Sequence, residues 1–148
     1  MRVSDEGIKL IKHFEGIHKK PYVCPAGYWT VGVGHLITRD SVLPSSWNRT
    51  FSSGEIDDLL RADLQRFELG VLRMLHPVQP SQSIFDCFVS FSFNLGLGTF
   101  QRSTVRSAFI RGDKKRAAEV LLKYCWAGGR KLNGLIRRRI AEHALLMR

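Results

Sequence analysis

From Ser81 to Gly96 the chain reads SQSIFDCFVSFSFNLG, which is apolar on nearly every face of a helical wheel. A helix of that kind has no side to offer water, so it predicts the centre of a helical bundle, with Phe85, Phe88, Phe91 and Phe93 as core anchors. A second helix is marked just upstream. Ser52 followed by Glu55 forms a capping-box pattern, and Ile56, Leu59, Leu60, Leu64, Phe67, Val71 and Leu75 then trace one helical face. Pro77 and Pro80 stop it.

Around these two helices the rest of the chain falls into place. Ser4 is placed to cap a first helix whose apolar residues Ile8, Leu10, Ile11 and Phe14 share a stripe, and Gly16 is placed to end it. From Pro21 to Leu36 the helical period disappears. Pro25, Gly27, Gly32 and Gly34 break helix formation, whereas Tyr28, Thr30, Val31 and Val33 favour extended chain, which predicts a small antiparallel hairpin or three-stranded sheet. Residues 38–53 read as irregular, with Trp47 packing them down. Later helices are expected from Ser103 to Ile110, from a cap at Asp113 to about Trp126, and after the Gly128–Gly129 pair. The fold class is α+β, mostly helical, with one small sheet near the start.

With 148 residues and 44% hydrophobic content, the chain can bury a real core in one globular unit. Lys and Arg number 23 against 13 Asp and Glu, a formal charge of +10 that draws the protein toward polyanions. Arg137, Arg138 and Arg139 concentrate that charge, read here as a solvated helix face. A nucleic-acid-binding protein is the competing class, but no recognisable reader motif occurs. The three cysteines do not all pair within one chain and have no metal-binding spacing; Cys87 and Cys125 read as small buried thiols, Cys24 as a turn residue. His13, His18 and His35 lack the two-His helical spacing of zinc hydrolases, so no metal or other cofactor is expected. The charged start MRVSDEGIK has no apolar core region and no stretch of about 18 apolar residues occurs, so neither a signal peptide nor stable membrane insertion is expected.

Glu15 is the residue most suggestive of chemistry. It falls at the foot of the first helix, where converging carbonyls disfavour a second negative charge and favour retention of its proton. A proton-holding carboxyl facing a second polar group is what general acid cleavage of a glycosidic bond requires. Taken singly, Glu15 is a solvated helix end and Thr30 a strand former. Their combination with Cys24 is specific: eight residues separate Glu15 from Cys24, and five separate Cys24 from Thr30.

FEG at 14–16, Cys24 and YWTVGVGHL at 28–36 together resemble the phage-type lysozymes, glycoside hydrolase family 24, whose pattern is a Glu, eight residues, an Asp or Cys, five residues, a Thr, then Gly-x-Gly-His. FNLGLGTF at 93–100, Ser103-Thr104 and WAGGRKLNGLIRRR at 126–139 extend the similarity over nearly the whole chain. The resemblance implies a lysozyme-like fold with a β-containing lobe over about 12–54, a linking helix over about 55–75, and a helical lobe over about 76–148 on which the first helix packs. It implies hydrolysis of the β-1,4 bond between N-acetylmuramic acid and N-acetylglucosamine, by inversion. Glu15 is then the general acid, and Cys24 and Thr30 position or activate the water. It gives Gly34, His35, Leu36, Asn94, Phe100 and Ser103 as substrate-binding residues; read from the residues alone, Asn94, Phe100, Ser103 and Trp126 are core or cleft residues. Cys24 departs from the commoner Asp, since an ordinary thiol is mostly protonated at neutral pH, and the positive field of Lys19 and Lys20 is expected to favour its thiolate.

The expected setting is a monomeric endolysin acting on peptidoglycan, held in the host cytoplasm until a separate holin lets it reach the wall, with electrostatic contact to the anionic envelope. Three alternatives compete. A lytic transglycosylase would release an anhydro sugar, a nucleic-acid binder would lyse nothing, and an inactive lysozyme-like protein would only hold wall sugars.

Overall fold

The computed structural model describes residues 1–148 and is helix-dominated, with seven α-helices, one three-stranded sheet and a two-stranded ribbon. In chain order these are α1 (Asp5–Glu15), β1 (His18–Val23), β2 (Trp29–Gly32), β3 (His35–Thr38), α2 (Ser53–Leu75), α3 (Gln82–Leu95), α4 (Leu97–Arg102), α5 (Thr104–Ile110), α6 (Lys114–Leu121), β4 (Trp126–Ala127), β5 (Arg130–Lys131) and α7 (Asn133–Met147). The chain forms two compact units, Lys12–Gln65 and Met1–Ile11 with Arg66–Arg148. The boundary falls inside α1 and inside α2.

The smaller unit holds the sheet, in the antiparallel order β1-β2-β3, with Tyr22 opposite Thr30 and Val23 opposite Trp29. Val31 and Val33 are buried, and a Cβ at Gly32 would stand 3.3 Å from the Ile56 side chain, so the sheet lies close against α2. The start of α2 is fixed as the capping box predicts: the Glu55 N–H donates to Ser52 Oγ at 3.1 Å, and the Ser52 N–H donates to Glu55 Oε1 at 3.0 Å. Arg49 adds a two-pronged ion pair to the same carboxylate, at 3.1 and 2.5 Å. These bonds, led by that from Arg49, lower the Glu55 carboxyl to about 2. The connecting loop is less irregular than its composition suggests. It contains a 3-10 turn at Ser45–Trp47, and Trp47 stacks between His35 (5.7 Å) and Phe51 (5.5 Å).

The larger unit is built on α3, which packs against α7 and α4. Phe85, Phe88 and Phe91 have no exposed surface. Phe88 meets Phe100 at 5.0 Å and Phe109 at 5.1 Å, and Phe91 meets Tyr124 at 5.1 Å, all in tilted or edge-on geometry. Ser81, Ser103 and Asp113 cap α3, α5 and α6. Two polar clusters are sealed into this core. Asp86, 1% exposed, accepts hydrogen bonds from the Ser4 N–H (3.0 Å), the Ser4 hydroxyl and Gln82 Nε2 (2.8 Å). Ser4 Oγ in turn accepts from the Gly7 N–H at 3.1 Å, so the N-terminus of α1 is tied to α3.

The second cluster corrects a sequence expectation. Arg138 and Arg139 are not on a solvated face but are 3% and 0% exposed, and only Arg137 of the triplet is exposed. Glu142, one turn on, takes Arg139 Nε at 2.9 Å and Arg138 Nε at 3.4 Å, and accepts from Ser90 Oγ at 2.5 Å. Burial dominates here, pushing the Glu142 carboxyl up and the Arg139 guanidinium down against their mutual attraction. A second correction concerns α6, which ends at Leu121 rather than near Trp126. The chain turns through Lys123 and Tyr124, then forms the β4-β5 ribbon on the Gly128–Gly129 turn, where both glycines have positive φ.

Candidate active site

All three expected catalytic residues lie in the smaller unit. Glu15 is the last residue of α1 and is half-buried. The helix stops there because Gly16 takes φ 81°, while its N–H still bonds the Lys12 carbonyl at 2.9 Å. Cys24 follows β1 directly. Its N–H donates to the Tyr28 carbonyl at 2.9 Å, its own carbonyl accepts from Gly27 at 2.8 Å, and these two bonds close the hairpin tip. Thr30, in β2, is 5% exposed and donates its hydroxyl to the Tyr28 carbonyl at 3.0 Å.

Cys24 is a free, partly exposed thiol. The Tyr28 backbone amide first, then the Thr30 hydroxyl, with smaller help from the Ala26 and Gly27 amides, hold it below the usual thiol range against the opposing effect of burial. The thiolate is thus favoured by hydrogen bonds from the turn, and the lysine field of Lys19 and Lys20 is not among the causes. Cys87 is the opposite case: full burial pushes its thiol well up.

The structure also draws in a residue that sequence reasoning passed over. Tyr22 is half-buried directly opposite Thr30, and burial first, then the charges of Cys24 and Glu15, push its phenol above the ordinary value. One phenol therefore feels both the carboxyl and the thiol. The available signal was the alternation of a strand: counted across the turn, Tyr22 and Cys24 fall on one face with Thr30.

The expected substrate-binding residues separate into two groups. Gly34 and Leu36 are exposed at the β2-β3 turn, and between them His35 Nδ1 is held by Asp63 at 2.9 and 3.1 Å. Asn94, Phe100 and Ser103 belong to the other unit. Asn94 Oδ1 accepts from Arg139 at 2.5 Å. Ser103 is spent on backbone bonds, to Phe100 at 2.7 Å and from Arg106 at 3.1 Å. Phe100 has no exposed surface and is a core residue, because Phe88 and Phe91 enclose it. Trp126 is 58% exposed on β4, with Lys131 above its ring. No group of three or more His, Cys, Asp or Glu side chains is arranged to hold a metal ion, and no helix is long and apolar enough to cross a membrane.

A family model described as phage lysozyme matches residues 12–142. The chain belongs to the phage lysozyme family. It is 39% identical to an endolysin of Bacillus phage B103 over 99% of its own length and 54% of that protein, and so spans about half the length of that relative. It is 32% identical to an endolysin of Acyrthosiphon pisum secondary endosymbiont phage 1, over 98% of this chain and 97% of that one. Among solved structures, a P22 lysozyme variant superposes with a TM-score of 0.87 at 31% identity, covering 100% of this chain and 99% of that one. Glu15, Cys24 and Thr30 stand on α1, on the hairpin turn and on β2 of this chain.

Proposed function

We propose that the chain is a muramidase that hydrolyses the β-1,4 bond between N-acetylmuramic acid and N-acetylglucosamine in peptidoglycan, and so lyses a host bacterium as an endolysin. Membership of the phage lysozyme family supports this reading. The observation that carries it is the gathering of a carboxyl, a thiol and a hydroxyl around one hairpin: Cys24 bonded by Thr30, and both Cys24 and Glu15 acting on Tyr22.

In this reading Glu15 gives its proton to the glycosidic oxygen as the bond to the muramic-acid C1 breaks, leaving a free hydroxyl on the departing sugar and an oxocarbenium-like centre. Water adds to C1 from the opposite face, and its proton passes to the Cys24 thiolate. Thr30, whose hydroxyl lies within hydrogen-bond reach of both the Tyr28 carbonyl and the Cys24 sulfur, offers its lone pairs to that water. The thiol and the Glu15 carboxylate then return to their starting forms by exchange with solvent. The sugar carbon is inverted, because one displacement occurs and no covalent sugar intermediate forms.

The decisive experiment compares wild type, Glu15→Gln and Cys24→Asp on purified peptidoglycan by turbidity, with mass spectrometry of the released muropeptides. Reducing muramic-acid ends, loss of at least about a hundredfold in Glu15→Gln and retained lysis in Cys24→Asp are expected. Anhydro ends would assign a transglycosylase, and unimpaired Glu15→Gln would remove the reading. The protein works as a monomer that depends on a separate holin for access to the wall, and its +10 charge draws it to the anionic envelope.

A further inference from the structure

The register of the sheet sets Tyr22, Thr30 and Leu36 side by side across its three strands, because Tyr22 is opposite Thr30 and Thr30 is opposite Leu36. Directly opposed residues share a face, and neighbours along a strand alternate. Leu36, 40% exposed, is therefore the apolar neighbour of Thr30 on its face of the sheet, while His35 falls with Val31 on the other. A restraint on His35 is felt one peptide away, at Leu36.

His35 is held twice. Its Nδ1 is bonded to the Asp63 carboxylate of α2 at 2.9 and 3.1 Å, and its ring stacks on Trp47, centroids 5.7 Å apart and planes at 18°. The first hold leaves the imidazole free to swing about one nitrogen, and the stack removes that freedom. Trp47 is fixed in turn. It stacks on Phe51 (5.5 Å, 27°), and the Arg49 guanidinium lies 3.9 Å from the centre of the Phe51 ring. Phe51 is buried, its N–H donates to the Lys19 carbonyl of β1 at 2.8 Å, and Arg49 is bound to Glu55. A column of four planar groups therefore runs from Arg49 to His35, and α2 grips both ends, through Glu55 and through Asp63 about two turns on.

We propose that Trp47 is a positioning residue for glycan binding: its stack on His35 fixes the β2-β3 turn, so that Leu36 stays beside Thr30 as an apolar surface for the sugar next to the attacking water. The inference rests on the muramidase reading for the identity of the ligand. Its geometric basis is separate, since every contact in the column lies within the smaller unit. Trp47 acts through His35, because the indole meets the imidazole and the phenyl ring while Leu36 is on the opposite face of the sheet from His35.

Trp47→Leu keeps an apolar side chain and removes the stacking plane, whereas Trp47→Phe keeps a plane. In steady-state turbidity assays on purified peptidoglycan, Trp47→Leu should raise KM roughly threefold or more, the scale of one lost aromatic pair, with kcat changed less. Trp47→Phe should recover most of that loss. A cycle with His35→Ala separates positioning from general support of the fold: the Trp47→Leu penalty in kcat/KM should disappear once the imidazole is gone. Arg49→Gln, at the exposed end of the column, should raise KM in the same direction by less. A wild-type KM in Trp47→Leu overturns the proposal, as do penalties that add in the cycle; if Trp47→Leu does not fold, an unmoved KM in Arg49→Gln does so. The muramidase reading fails on a different result, an active Glu15→Gln, so the two outcomes are distinguishable.

Discussion

Asp86 is the residue through which the N-terminus of α1 is tied to α3, and its removal is the sharpest test of the structural reasoning. The carboxylate is 1% exposed and accepts from the Ser4 N–H, the Ser4 hydroxyl and Gln82 Nε2. Hydrogen bonds to a charged group contribute roughly 1.5–3 kcal/mol each, and a buried donor left unpaired costs about 1–3 kcal/mol. Gln82 is exposed and can turn to water, so only the two Ser4 donors are left stranded in Asp86→Ala. The expected loss is about 3–6 kcal/mol by that arithmetic. For a chain of this length each kcal/mol moves Tm by roughly 2–4 °C, so calorimetry should show a fall of about 6–24 °C.

Asp86→Asn keeps one acceptor oxygen and should lose roughly half as much. The network makes a further demand that a simple packing role would not. Ser4→Ala removes both the cap on Gly7 and the hydroxyl partner of Asp86, so the double variant should cost less than the sum of the two singles by about 1 kcal/mol. A Tm within about 2 °C of wild type in Asp86→Ala, or strict additivity in the cycle, would refute the assignment of this cluster as the tether of α1.

Glu55 has its carboxyl lowered to about 2 in the folded state from an ordinary value of 4.5, so its contribution to stability is complete above that ordinary value and is lost as pH falls toward 2. Thermal melts of Glu55→Gln should lie below wild type at pH 7 and converge with it as pH drops from 5 toward 2; parallel curves would contradict the Arg49–Ser52 cap. At Gly7 an added Cβ would stand 2.5 Å from Val3 Cγ1 and 2.8 Å from Asp86 Cγ, which three hydrogen bonds hold in place. Gly7→Ala should therefore destabilise by about 1–3 kcal/mol, although alanine is the better helix former by about 1; a raised Tm would show that the contact relaxes freely.

What could be read from the residues, and what could not, follows from the range over which each signal acts. Ser4, Ser52, Ser103 and Asp113 announced their helices because a cap bonds the backbone only two or three residues away. The all-apolar run at 81–96 announced a central helix because no other placement hides it. The β4-β5 ribbon was missed because two-residue strands carry no period to detect, and the end of α6 was missed because no glycine or proline marks it. Arg138 and Arg139 were misread for a deeper reason. An arginine is solvated by default, and only the unforeseen meeting of α7 with Ser90 and Asn94 of α3 turns a basic triplet into an interior ion network. The site shows the same division. The spacing of Glu15, Cys24 and Thr30 is linear information, available before folding. The lowering of the Cys24 thiol is not linear: it comes from the Tyr28 amide and the Thr30 hydroxyl, which reach it only once the hairpin has closed around Gly27. A carboxylate brings its acidity with it, whereas the lowering of a cysteine at this position depends on the register of the strands. A one-residue slip of β1 on β2 would leave all three side chains in the sequence and remove that lowering.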